Sequence, residues 1–165
     1  MLYFAYGSNM DPDQMIERCH DAKLIGLGYL PDHILCFPRR SKNRGCGVSS
    51  VTPKIGHDTW GVVWELSDKD FASLDSNEGY RRDREPSANA YNRRTIKINL
   101  NGEWMDADTY LASPQEGLHL PSLAYLDQLR NGATHHGLPE AYRNYLAGLP
   151  DDLSIQNMPA SSHSD

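Results

Sequence analysis

An Asn101-Gly102 pair lies between residues 93–100 and 103–111, two runs in which apolar and polar side chains alternate. Asn-Gly is the pair that accepts positive φ at both central positions of a type I′ turn, whose twist matches that of two antiparallel strands. A two-residue turn also sets the register: Ile98 opposite Met105, Ile96 opposite Ala107, Lys97 opposite Asp106. The first two pairs are apolar, and the third joins opposite charges on the other face. Turn chemistry, periodicity and charge therefore agree on one hairpin, and a chain containing it needs a sheet with a buried face.

Further strands follow from the same logic. Residues 2–6, Leu-Tyr-Phe-Ala-Tyr, carry no charge and read as a buried strand. Residues 22–30 are apolar with Gly26 and Gly28 inside them, Pro31-Asp32 marks a turn, and 33–37 read as the returning strand. A short strand over 46–52 is ended by Pro53 and Gly56. Residues 60–66 place Trp60, Val62, Trp64 and Leu66 on one face and Val63 on the other, as expected of a central strand. Helix signals are interleaved: Asp11 as N-cap with Pro12 at the first position and Gln14 placed for a capping box, then Ser67 before 68–75, where Phe71 and Leu74 share a face. Ser122 caps a helix over 123–130 that ends near Gly132, and Pro139 opens another reaching Leu146 and Gly148. Strands grouped ahead of helices predict an α+β domain over residues 1–149, built on a small, mostly antiparallel or mixed barrel-like sheet with flanking helices. Residues 150–165 are polar without periodicity and are expected to form a poorly ordered tail.

At 165 residues the chain is long enough for one core, and no apolar run approaches the roughly 20 residues that span a bilayer. The first residues read as structural strand rather than as a secretory signal. Cys19, Cys36 and Cys46 form no CxxC pair and leave an odd count, so a reducing, cytoplasmic setting is expected. A formal net charge of −6 argues against nucleic acid or an anionic membrane as partner. Arg39, Arg40, Lys42 and Arg44 are a local exception, either a solvated loop or a device that steers an acidic small substrate. No HExxH or Cys/His ligand spacing occurs, and His135 and His136 are adjacent, so no metal is expected.

Two places carry chemistry. After the first strand come Gly7, Ser8, Asn9 and Met10; with Gly7 at positive φ, their consecutive amides converge on an anion, whereas the plainer reading is an ordinary strand-to-helix turn. Ser8 lacks a GxSxG elbow and an identifiable His/Asp partner, which favours a backbone-donor role over that of nucleophile. Glu78, before Gly79 at the end of a helix, is placed either as a rigid, partly buried acid/base or as a surface charge at a helix end. Tyr6, Tyr80 and Tyr91 offer hydroxyls to a small polar ligand, or else fill the core.

Three blocks in order, Tyr6-Gly7-Ser8-Asn9, then Trp60-Gly61-Val62-Val63-Trp64 leading to Leu74-Asp75-x-x-Glu78-Gly79, then Gly132-Ala133 leading to Gly137-Leu138-Pro139-x-x-Tyr142, resemble the γ-glutamylcyclotransferase family. The resemblance spans residues 3 to about 146. It implies a compact mixed α/β domain with a cofactor-free site at the mouth of a small barrel, a glycine-serine loop at Gly7, Ser8 and Asn9, a catalytic glutamate at Glu78 and a substrate-lining tyrosine at Tyr91. Tyr6 and Met10 flank that loop and join the expected substrate-binding set. The implied substrate is a small γ-glutamyl amide, cyclised to 5-oxoproline with release of its amine, and Ser8-Asn9 resembles the branch acting on γ-glutamyl amino acids. A related enzyme for a specialised γ-glutamyl biosynthetic intermediate and a non-catalytic binding module of the same fold stay open, as does a homodimer.

Overall fold

The computed structural model describes residues 1–156. In chain order, β1 (Leu2–Ala5) leads through a 3-10 turn (Ser8–Met10) into α1 (Pro12–Arg18), followed by β2 (Lys23–Leu30), β3 (His33–Ser41), β4 (Cys46–Pro53) and β5 (Thr59–Glu65). Next come α2 (Asp68–Asn77), a second 3-10 turn (Pro86–Ala88), β6 (Tyr91–Leu100) and β7 (Glu103–Ala112), then α3 (Leu123–His136), α4 (Glu140–Ala147) and α5 (Asp152–Gln156). Five strands close into a barrel in the order β1-β5-β2-β6-β7, and β3 pairs with β4 in a separate two-stranded sheet. Every pairing is antiparallel except that of β1 with β7, the contact that closes the barrel. The fold is the α+β, mixed-barrel class that the sequence pattern indicates.

The hairpin of β6 and β7 has the register set by its turn: Ile98 faces Met105, Ile96 faces Ala107 and Lys97 faces Asp106. Asn101 and Gly102 take φ of 52° and 89°, as a type I′ turn requires. The Lys97–Asp106 contact is 2.8 Å, but both side chains are mostly exposed, so it contributes only about 0.2–1 kcal/mol. Burial of Ile98 and Ala107 is the larger effect. β5 lies between β1 and β2, and its Val62, Val63 and Trp64 are all buried because both faces of this strand are covered. Phe4 on β1 is fully buried, a contribution of about 1.5–3 kcal/mol.

Three local expectations are corrected. Asp11 does cap α1, accepting from Asp13 N at 3.0 Å, but Gln14 makes no capping box; its amide is drawn instead to Ser8 Oγ and Asn9 Oδ1, both at 2.8 Å. α3 runs through Gly132 and stops at Gly137, where φ is 70°. Gly132 is a close-approach residue, since a Cβ there would meet Met10 Cβ at 2.9 Å. Residues 81–88 are exposed, and buried Asn89 ties them into one knot by accepting from Arg81 N and Arg84 Nε and donating to Arg81 O and Asn92 Oδ1. Of the tail expected from residue 150, Asp152–Gln156 form α5, anchored by Asp152 N on Pro121 O at 2.9 Å, and residues 157–165 lie outside the described residues.

Candidate active site

Because β7 runs parallel to β1 and β6 runs antiparallel to β7, the end of β1, the start of β6 and the end of β7 meet at one mouth of the barrel. A cavity of about 40 Å³ lies there, and it brings together Tyr6, Gly7, Ser8, Asn9, Glu78 and Tyr91. Met10 is excluded from it. Its side chain is fully buried against α3, its amide donates to Gly7 O at 3.0 Å to close the 3-10 turn, and its carbonyl lies 2.8 Å from His136 Nε2. Tyr80 also lies off the cavity, with its ring against Tyr110 and near the Arg93 guanidinium. The reason for Gly7 differs from the expected one as well: its φ is −115°, outside the left-handed region, and glycine is needed because a Cβ would come within 2.6 Å of Ser49 Oγ.

Glu78 is delivered by the way α2 ends. Ser67 opens the helix by accepting from Asp70 N at 3.1 Å, and buried Phe71 and Leu74 fix its inner face. At the far end Gly79 takes φ of 67°, its amide donates to Ser76 O, and Tyr80 N donates to Asp75 O at 2.9 Å. This pair of bonds is a Schellman motif, which halts the helix with Glu78 as its last, C-cap residue. Asp75 is braced in turn: Arg93 Nη1 reaches both of its oxygens at 3.1–3.2 Å, Tyr110 donates to Oδ1 at 2.6 Å, and the Arg93 guanidinium lies over the Phe71 ring. The turn that carries Glu78 is thus anchored to β6 and β7.

The Glu78 side chain is 14% exposed. Burial raises its pKa, while Arg18, Asn9 and the more distant Arg44 pull the other way. Asn9 Nδ2 donates to Glu78 Oε1 at 3.1 Å and to Tyr3 OH at 2.8 Å, and Arg18 Nη1 lies 3.5 Å from the same Oε1. Asn9 Oδ1 is held by Gln14 Nε2 and by Arg18 Nη1. All contacts fall on Oε1; among the described residues none reaches Oε2, which leaves that oxygen to meet a ligand. Around the carboxylate, burial raises the pKa values of Tyr3, Tyr6, Tyr91, Tyr110 and Tyr125, so at neutral pH all five are phenols. Tyr6 donates to Tyr110 O, and Tyr91 donates to Ser49 O at 2.6 Å. Ser8 and Asn9 head the 3-10 turn, whose first amides have no acceptor within the turn. The result is a narrow pocket with one carboxylate, several hydroxyls and a turn start, suited to polarising a carbonyl and moving a proton.

Sequence reasoning missed Tyr3, Ser49, Tyr110 and Tyr125 as lining residues and Arg18 as the partner of Glu78. For Arg18 a signal existed, since Gln14 and Arg18 are an i, i+4 polar pair and both turn onto Asn9. Ser49 on β4 and Tyr125 on α3 carried none. They meet across 76 positions, with Ser49 N donating to Tyr125 OH at 3.0 Å and the two hydroxyls 2.8 Å apart.

The chain is similar to the γ-glutamylcyclotransferases of Mus musculus, 29% identical over 153 residues covering 90% of this chain and 78% of that one, and of Homo sapiens, 29% identical over 159 residues covering 93% and 81%. Among solved structures, a gamma-glutamyl cyclotransferase superposes with a TM-score of 0.81 at 25% identity, covering all of this chain and 92% of the other. An uncharacterized protein from Homo sapiens superposes at 0.82 and 26% identity, covering 96% and 90%. The family model described as AIG2-like matches residues 58–146, more than half of the chain and a stretch that includes Glu78 and Tyr91. With its closed barrel, its Glu78 turn and this match together, the chain belongs to the AIG2-like family, on the fold of the γ-glutamylcyclotransferases.

Proposed function

We propose that this protein is a γ-glutamylcyclotransferase that converts a γ-glutamyl amide, a γ-glutamyl amino acid or related metabolite, into 5-oxoproline and a free amine, with Glu78 as general acid/base. The observation that carries this reading is a carboxylate buried beside the Gly7–Asn9 turn with one oxygen unengaged among the described residues. Nucleophile and electrophile are parts of one molecule, so the site's task is to fold the substrate and move protons. Glu78 takes a proton from the α-ammonium; the amine nitrogen attacks the γ-carbonyl carbon. The resulting oxyanion, or the α-carboxylate, is met by the amides of Gly7, Ser8 and Asn9, with the phenols of Tyr6 and Tyr91 lining the wall. Glu78 then returns its proton to the leaving nitrogen as the C–N bond breaks, the ring nitrogen gives up its second proton through Glu78 to the departing amine, which leaves as an ammonium, and the carboxylate is restored. No electrons change hands, which is why the chemistry calls for no redox cofactor. The γ-glutamylcyclotransferases among the similar proteins support the reaction, and the unpaired state of Cys19, Cys36 and Cys46 supports a cytoplasmic setting.

The test is 5-oxoproline release from γ-glutamyl dipeptides, glutathione and γ-glutamyl-ε-lysine, with Glu78→Gln alongside. The Gln side chain keeps the shape and loses the proton chemistry, so kcat is expected to fall by about 10²–10⁴ while substrate still binds. A Gln variant that keeps most of its rate removes Glu78 from the mechanism. Silence across the panel from folded protein overturns the reaction.

A further inference from the structure

Outside the inner cavity lies a groove of about 470 Å³ that shares Ser8, Glu78, Tyr91 and Tyr125 with it. Arg39 and Arg40 at the end of β3 and Lys42 and Arg44 in the turn to β4 line this groove together with Arg18, and Glu78 is the one carboxylate in its lining among the described residues. Five cations against one carboxylate leave it at +4 (5 − 1), on a chain whose net charge is −6. None of the four hairpin cations is ion-paired among the described residues. Where they are held, neutral oxygens hold them. Arg39 Nη1 donates to Ser113 O at 3.2 Å, and Arg44 donates to Gln128 Oε1 at 3.0 Å and to Gln14 Oε1 at 2.9 Å, with its guanidinium over the Tyr125 ring. Such acceptors orient a guanidinium without cancelling its charge. Arg40 and Lys42 are exposed.

We propose that this groove receives the leaving half of the substrate and selects γ-glutamyl compounds whose leaving amine is a dicarboxylic amino acid or an acidic peptide. The inference rests on the cyclisation reading above. Glu78 lines both spaces, so a scissile amide held at Glu78 has its glutamyl half in the inner cavity and its amine half in the groove. An ordinary amino acid brings one carboxylate to that half, and a single guanidinium would answer it. Four uncancelled cations along one wall of a concave surface instead make a single-sign field that attracts and orients a ligand with two or more negative groups.

The experiment measures kcat/KM for γ-glutamyl-glutamate and γ-glutamyl-alanine on the intact chain and on an Arg40→Ala/Lys42→Ala variant, at low salt and at about 1 M salt, where the Debye length shrinks to about 3 Å. These two positions are chosen because neither side chain bonds to another group among the described residues. The acidic dipeptide is expected to be preferred. That preference should fall by roughly four- to twenty-five-fold in the variant, about two- to fivefold for each exposed charge removed, and should fall similarly at high salt. A ratio near one in the unaltered protein, or one that survives both the substitutions and the salt, overturns the inference and leaves the cyclisation standing. If neither dipeptide yields 5-oxoproline, the cyclisation reading has failed. The groove is then tested by calorimetric binding of the same dipeptides to the same two proteins: equal affinities overturn the selection, and a salt-sensitive acidic preference that disappears in the variant upholds it.

Discussion

Gly7→Ala places a methyl group 2.6 Å from Ser49 Oγ, 3.7 Å from Tyr125 OH and 4.0 Å from Ser49 Cβ. Against a contact distance of about 3.5 Å the overlap with Oγ is roughly 0.9 Å. Ser49 Oγ is a terminal atom and can rotate away, but in doing so it gives up its 2.8 Å hydrogen bond to the buried Tyr125 hydroxyl. Breaking a buried hydrogen bond and stranding one partner costs about 1–3 kcal/mol, so Gly7→Ala should destabilise by that amount. Ser49→Ala removes the same hydrogen bond and should cost about 1 kcal/mol, because Ser49 N still donates to Tyr125 OH. In the double variant the methyl group introduced at position 7 meets Tyr125 OH at 3.7 Å and Cβ at position 49 at 4.0 Å, both ordinary contacts, and its own cost vanishes. The expected signature is therefore non-additivity: the double variant no less stable than Ser49→Ala alone, with a coupling of about 1–3 kcal/mol, within the usual range for touching residues. Urea unfolding of the four proteins by tryptophan fluorescence reads this directly, since about 1–3 kcal/mol moves the midpoint by roughly 0.5–1.5 M for an m-value of ~2 kcal/mol/M. Additive costs, or a harmless Gly7→Ala, would refute the packing account of this glycine.

Burial raises the pKa of Glu78, so the folded chain holds that proton more tightly than the unfolded chain, and stability is lost as pH rises through the folded value. Glu78→Gln should therefore have a higher Tm than the parent protein at pH 8, with the gap closing below the unfolded glutamate value near pH 4; a gap that does not change with pH contradicts the assignment. Gly79→Ala forces a side chain into φ of 67° with its Cβ 3.2 Å from Ala90 Cβ, and should cost about 1–2 kcal/mol in urea unfolding while lowering kcat through a displaced Glu78; unchanged stability would contradict it. Arg93→Met leaves Asp75 with Tyr110 as its remaining partner among these contacts, and should cost about 2 kcal/mol with kcat falling more than KM changes. A loss of stability with full kcat would show that the Asp75 brace does not reach Glu78.

Most of the architecture was legible in the sequence because its signals are local. Asn101-Gly102 set a register that every predicted cross-strand pair obeys, and Ser67, Asp11 and Ser122 cap the helices their positions mark. The boundaries that moved were those at which a local signal was outweighed by packing. Gly132 reads as a helix stop but serves as a contact with Met10, and Gln14 reads as a capping residue but is captured by Ser8 and Asn9. In the site, Glu78 and the Gly7–Asn9 turn were visible through their turn chemistry. Arg18, Ser49, Tyr110 and Tyr125 had no such mark, because what makes each a site residue is a neighbour distant in the chain.

By itself, then, the sequence determined the hairpin, the caps and the alternation of core and surface, since dihedral preference and side-chain period act within a few residues. Only the tertiary structure decided that the barrel closes through β1 and β7, that Glu78 loses water between Asn9 and Arg18, and that the cations at residues 39–44 line the groove beside it. Those outcomes depend on which distant surfaces exclude water from one another, and that is a property of the packed chain.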